Sequence, residues 1–309
     1  MAADRPFAEH RPAGRRLPGE VRAAVLFLAP GLLVIGLFFL LPIGASALLS
    51  LTDFDIYALG DLANVRLVGL RNFSRLLADP LFWISMRNTF YFVLVGGPLT
   101  LGVALAAALL LHSKLARWKG VFRTIFFAPY VTTLVAVAIV FRYLYHPRFG
   151  GLNRVLEVFG IPAIDWLGDP RWAMPAIILL AVWKNFGYAM ILFIAGLQAI
   201  PESLYEAARI DGAGGLQVFR KITVPMLAPT FLFLGIMTTI GYFQFFAEPY
   251  VMTGGGGPLN ATLSTGLLMY KQGFRWWNMG YAAAIAVVLG LVIFAFSALQ
   301  FRMERRRGR

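Results

Sequence analysis

Apolar runs too long for a soluble core alternate with polar stretches along this chain. Six of them, 23–49, 88–111, 122–145, 175–197, 226–246 and 279–301, exceed the ~18 residues that mark a membrane-spanning helix. At about 1.5 Å per residue each crosses the ~30 Å of a hydrocarbon layer. Backbone groups in lipid must bond internally, so these runs predict helices, and they are too long for barrel strands. The intervening stretches 50–87, 146–174 and 247–278 hold Trp, Gly and Pro without two-residue alternation. They predict short helices and turns on the membrane surface. The expected fold class is an all-α membrane protein with six transmembrane helices. No internal repeat or second domain is evident.

Composition agrees: 59% of the 309 residues are hydrophobic, 14% are charged, and mean hydropathy is +0.71. The chain has no cysteine, which excludes disulfides, thiol nucleophiles and cysteine zinc sites. His10, His112 and His146 are too far apart to match a metal spacing.

Net charge is +13, and its placement changes its meaning. The two tails, 112–121 with Arg123, and 198–225 together hold 17 of the 28 Lys and Arg. Lys184 lies well inside the fourth run, away from either end. The positive-inside rule therefore predicts both termini cytosolic, with 198–225 on the same side. Residues 1–22, with Arg5, Arg11, Arg15, Arg16 and three prolines, read as a disordered basic tail, and 302–309 as a second basic tail. Arg302, Arg305, Arg306 and Arg307 read as a topology anchor at anionic lipid. Ala45-Ser46-Ala47 fits a signal-cleavage triplet. The apolar stretch before it runs to about 22 residues, beyond the 7–15 of a signal peptide, which predicts a retained span. The span domain is 23–301.

The most informative polar stretch is 202–225. Pro201 suits a helix start, and Glu202 and Glu206 suit the positive end of a new helix. Ala207 and Ala208 leave a flat helical surface. Gly212, Gly214 and Gly215 break it, and glycine supplies the positive φ of a sharp turn. A second short helix is expected over 216–224, with Val218 and Ile222 on one face and Pro225 stopping it. The product is a stiff helix–turn–helix suited to a partner's groove, with Val218, Phe219 and Ile222 as apolar anchors. The plain alternative is a structural connector.

Glu206-Ala207-Ala208-x-x-Asp211-Gly212-Ala213, then Phe219, Ile222 and Pro225, resembles the coupling-loop signature (the EAA motif) of ABC importer permeases. Pro30, Pro42, Leu51-Thr52-Asp53, Gly69-Leu70-x-Asn72-Phe73, Asn88-Thr89, Thr253–Pro258 and Gly280–Ala284 resemble flanking motifs of the carbohydrate-uptake branch, the maltose and glycerol-3-phosphate type of first permease. The resemblance implies a type I permease architecture in a bacterial plasma (inner) membrane, importing a sugar or sugar-like solute. It implies four kinds of partner: a second, related permease, two ATP-binding-cassette ATPase subunits, an exoplasmic solute-binding protein, and membrane lipid. It also implies that Glu206, Ala207, Ala208, Asp211, Gly212 and Ala213 couple to the ATPase. ATP and Mg are expected on that ATPase and no cofactor on this chain, which has no Gly-x-x-x-x-Gly-Lys-Ser/Thr. The chain is not expected to be an enzyme or to bind nucleic acid.

Candidate pathway residues follow. Lys184 at membrane depth is costly and is expected to face the bundle interior or water. It has two readings, direct solute contact or bonding to backbone carbonyls. Trp183, Asn185 and Tyr188 flank it or share its face. Tyr242, Gln244 and Phe246 end the fifth run. Rings with polar edges suit sugars, and an interfacial aromatic belt is the other reading. Gly254–Pro258 reads as a flexible turn or as a contact for the binding protein.

Two other classes compete. An ion-coupled secondary transporter usually needs a carboxylate or histidine at membrane depth, and no acidic residue falls within the six runs. A membrane-embedded enzyme needs a catalytic pair, and Lys184 has no partner nearby in sequence.

Overall fold

The computed structural model describes residues 18–61, 64–113 and 117–307. The tail arginines at 5, 11, 15 and 16 lie outside them. The chain divides into two compact units at Leu48 and Leu49. Among the described residues the regular structure is helical, apart from one antiparallel bridge between Thr52 and Leu67.

The first unit is helix α1. It begins at Pro18, within the stretch read as a tail, runs to Ile35, and continues through a π turn at Gly36–Leu40 into Leu41–Leu49. Its apolar side chains from Ala23 to Leu48 are exposed.

In the second unit, α2 (Arg71–Ala78) leads into α3 (Pro80–His112). Then come α4 (Lys119–Val131), α5 (Leu134–Leu144), α6 (Gly151–Val158) and α7 (Pro170–Gln198). The chain goes on through α8 (Glu202–Ile210), α9 (Gly215–Met226), α10 (Ala228–Phe243), α11 (Ala247–Met252), α12 (Thr265–Tyr270) and α13 (Met279–Arg307). Among the described residues four helices are long and apolar enough to span a membrane, or up to six if each bent pair counts as one.

The bent pairs differ from the sequence reading. The third run, expected as one helix over 122–145, is α4 and α5, set at 99°. Pro129 cannot donate to the helical ladder, which ends two residues later at Val131. Thr132 and Thr133 are extended. The other difference lies at Pro225, which does not stop its helix. The chain stays helical to Met226 and bends by 64° at Leu227, a fully buried residue. Three of the four π turns, 36–40, 92–96 and 219–223, end two residues before a proline: Pro42, Pro98 and Pro225. The proline lacks the N–H that would close a normal turn, and the ladder widens ahead of it. Two helices start earlier than expected, because Asp79 and Asp169 cap them directly before Pro80 and Pro170.

Helix α7 is the axis of the second unit and is buried along its length. Small residues let its neighbours approach. Ala104 and Ala108 of α3 are fully buried in one cluster with Ala189, Met190 and Phe193. A Cβ at Gly187 would sit on the Phe126 carbonyl of α4, so only glycine admits that contact. At the opposite end from the elbow, side chains tie the connecting segments together. Asn72 Nδ2 donates to the Ser50 and Thr52 carbonyls at 2.9 and 2.7 Å. Asn88 Nδ2 donates to the Asn260 and Leu263 carbonyls, and the Thr89 and Thr265 hydroxyls bond at 3.1 Å. Gly280 N donates to the Phe54 carbonyl, and Tyr281 Oη to Asp79 Oδ2.

Candidate functional site

The 202–225 segment forms the expected elbow, and its hydrogen bonds explain its stiffness. Ala213 N donates to the Ala208 carbonyl at 2.9 Å and Gly212 N to the Arg209 carbonyl at 3.1 Å. This pair of bonds is a Schellman cap, with Gly212 in the left-handed position at φ +71°. Gly214, at φ −69°, needs no such freedom. The Tyr205 and Thr223 hydroxyls bond at 3.2 Å and tie α8 to α9. Tyr205 and Ile222 pack on the cluster containing Leu197, Ile200 and Leu227, which seats the elbow on the end of α7.

Side-chain placement within the elbow is uneven. Glu206, Ala207, Asp211 and Gly212 are exposed, Ala213 is half-buried, and Ala208 is buried beneath the turn. The three expected apolar anchors, Val218, Phe219 and Ile222, are each half-buried. Ile222 is committed to the chain's own core. The most exposed large apolar residues of the elbow are instead Ile210, 87% exposed, and Leu216, 71% exposed. A period-based reading cannot find Ile210, because it sits beside the cap rather than on a helical stripe. Helix α8 carries Glu202 and Glu206 with Arg209 in its last turn, while α9 carries Arg220 and Lys221 and no acid.

The pathway candidates fall into separate places. Lys184, midway along α7, is buried, and its ammonium donates to the Pro129, Tyr130 and Thr132 carbonyls at 3.1, 3.2 and 2.7 Å. The break between α4 and α5 frees carbonyls, and the lysine satisfies them. Of its two sequence readings, the structure shows the carbonyl-bonded one. Glu248 of α11, 8% exposed, lies close enough to attract it electrostatically. Sequence reasoning missed this acid, because it follows the fifth run and folds back against the bundle.

The Tyr188 ring stacks on Tyr130 with centroids 4.8 Å apart and planes 14° from parallel. Trp183, 41% exposed, lies 5.2 Å from Phe141. Asn185 Nδ2 donates to the Ala181 carbonyl of its own helix. Tyr242 is buried, bonds Thr100 Oγ1 at 2.7 Å and packs on Phe92. Gln244 and Phe246 line a different cavity, of 450 Å³, with Tyr270 and Phe274. Tyr242 does not line that cavity. Gly254–Gly257 have four successive positive φ values, a backbone that requires glycine.

A family model described as "binding-protein-dependent transport system inner membrane component" matches residues 73–309. The lactose transport system permease protein LacF of Rhizobium radiobacter is 40% identical over 286 residues, spanning 91% of this chain and 94% of that protein. The sn-glycerol-3-phosphate transport system permease protein UgpA of Agrobacterium fabrum is 35% identical, over 91% and 94%. The trehalose/maltose transport system permease protein MalF of Thermococcus litoralis is 34% identical, over 93% and 95%. A chain from the crystal structure of a bacterial ABC transporter involved in import of the acidic polysaccharide alginate superposes with a TM-score of 0.74. That match is 22% identical and covers 94% of this chain and 99% of that one.

Proposed function

This chain belongs to the binding-protein-dependent transport system inner membrane components, and from that premise we propose its part in solute import. It is the membrane permease of an ATP-binding-cassette importer for a sugar or sugar-like solute. The similar proteins named for lactose, trehalose/maltose and glycerol phosphate transport support that solute class. The observation that carries the reading is the elbow, whose glycine cap and Tyr205–Thr223 tie make 202–225 a rigid handle.

In this reading the chain sits in a bacterial plasma membrane with both tails and the elbow cytosolic. It pairs with a second permease, and two ATPase subunits seat on the elbows. ATP and Mg are bound and ATP hydrolysed there, not on this chain. An exoplasmic binding protein delivers solute on the far side. Closure of the ATPases draws the elbows together and opens the bundle outward, and hydrolysis reverses it. Glu206 and Asp211 make polar contacts with the ATPase, while Ile210 and Leu216 seat in its groove. The Tyr130–Tyr188 stack offers an aromatic face to sugar C–H groups, and Trp183 and Asn185 flank it. Lys184 holds the wall in shape and leaves solute contact to the rings.

The test is uptake by vesicles holding the assembled importer. ATP-dependent accumulation of a sugar supplied with its binding protein is expected, with Glu206→Arg releasing the ATPase and abolishing uptake. Retention of the ATPase by Glu206→Arg at wild-type level would sink the docking assignment. Tyr188→Leu is expected to raise KM about threefold to tenfold, the worth of one aromatic contact. An unchanged KM removes Tyr188 from the solute path.

A further inference from the structure

At the end of α3 nearest the elbow, a cavity of 540 Å³ opens between α3, α4 and α7. Its walls are Val103, Ala107, Leu110, Phe122, Phe126 and Phe186, and one charged residue, Arg117, lines it. The charge along the chain segment that supplies Arg117 is one-sided. From His112 to Ile125 the sequence holds Lys114, Arg117, Lys119 and Arg123 and no acid. Arg123 has its Nε buried with no hydrogen-bond partner. Lys119 makes a single long bond, 3.4 Å, to the His112 carbonyl. Trp118, next to Arg117 in the chain, is 75% exposed and has a left-handed backbone conformation at φ +60°. An exposed indole at this level suits the boundary between headgroups and acyl chains.

We propose that this cavity is a binding site for an anionic phospholipid, with one acyl chain between α3 and α4 and the phosphate held by Arg117 at the mouth. Two facts make a lipid fit better than a soluble ligand. The walls offer almost no polar group except at the mouth, so the occupant must be apolar over most of its length and charged at one end. The mouth also lies where the third run meets water, the level of phospholipid headgroups. Basic pockets between spans on the cytosolic side hold such headgroups, at about 1 kcal/mol per Lys or Arg. The leaflet assignment rests on the topology proposed above, while the cavity and its charge do not.

The experiment uses the complete importer in phosphatidylcholine vesicles, with a phosphatidylglycerol probe carrying a photoreactive group near one acyl terminus. Crosslinks are expected to concentrate on 103–111 and 122–126. Arg117→Gln is expected to lower them about fivefold, and Ala106→Trp, which fills the rim, to abolish them at 103–111. A phosphatidylcholine probe is expected to label these peptides no more than any other lipid-facing helix. Equal labelling by both probes, or labelling indifferent to both variants, overturns the proposal. So does a crosslink from 103–111 to the second permease in place of lipid. ATP-driven uptake, read from the same vesicles, separates the two ideas. Absent uptake with intact labelling counts against the importer reading, and intact uptake with uniform labelling counts against the lipid site.

Discussion

Lys184 and Gly212 show how single residues fix the two working parts of this chain. Lys184 is a cation at membrane depth with three carbonyls around it. Replacing it with Met keeps the packing and orphans those acceptors, a loss of about 1–3 kcal/mol. Lys184→Met should lower the melting temperature of the purified importer and raise KM through a displaced Tyr130, with kcat less affected. An unchanged melting temperature would show that the ammonium is not needed to hold the break. Gly212 is held at φ +71°, where a side chain costs about 1–2 kcal/mol. Gly212→Ala should therefore weaken ATPase retention. Gly214→Ala, at ordinary φ with open space around it, should leave retention unchanged. Equal effects of the two, read by co-purification, would remove the cap from the account. The sequence pointed to a glycine turn here, yet three glycines were candidates, and only the backbone distinguishes them.

At the scale of elements, existence was legible and continuity was not. Long apolar runs announce spans because hydrocarbon leaves the backbone no other solution. Where a span breaks depends on what satisfies the freed carbonyls, and for α4 and α5 that is a lysine more than fifty residues away. The elbow shows the same limit. Its two helices and turn followed from Pro, Ala and Gly, whereas which apolar residues face outward followed from how α9 packs on α7. Ile222→Ala should consequently lower the stability of the chain and spare ATPase binding, while Ile210→Ala and Leu216→Ala should do the reverse. Thermal unfolding and co-purification, measured on all three, would expose an inverted assignment. Motif residues outside the elbow were matched by resemblance without a reason, and the structure supplies one. Asn72, Asn88, Thr89, Gly280 and Tyr281 pin loops to helices by hydrogen bonds, and Gly280 also lets α13 lie against the Thr52 carbonyl.

Taken whole, the chain reads as one half of a device. The exposed apolar surface of α1 and of the spans is matched to an apolar surrounding rather than to water. Of the seven candidate pathway residues, Gln244 and Phe246 line one cavity and the other five lie elsewhere; in the proposed importer a second permease completes the passage. The purified chain alone should bind solute no better than a lipid-only control. Measurable binding without partners would argue for a self-contained carrier. The widened turns ahead of Pro42, Pro98 and Pro225 bear on how such a device moves. A helix carrying one spare residue in a turn has slack at that level and can flex there without tearing a bond. The 219–223 turn is the part of the elbow next to α10, so in the proposed motion the capped α8 moves as one piece and the flexing falls at that joint. The rod above it then swings as a unit, giving the stroke a fixed pivot.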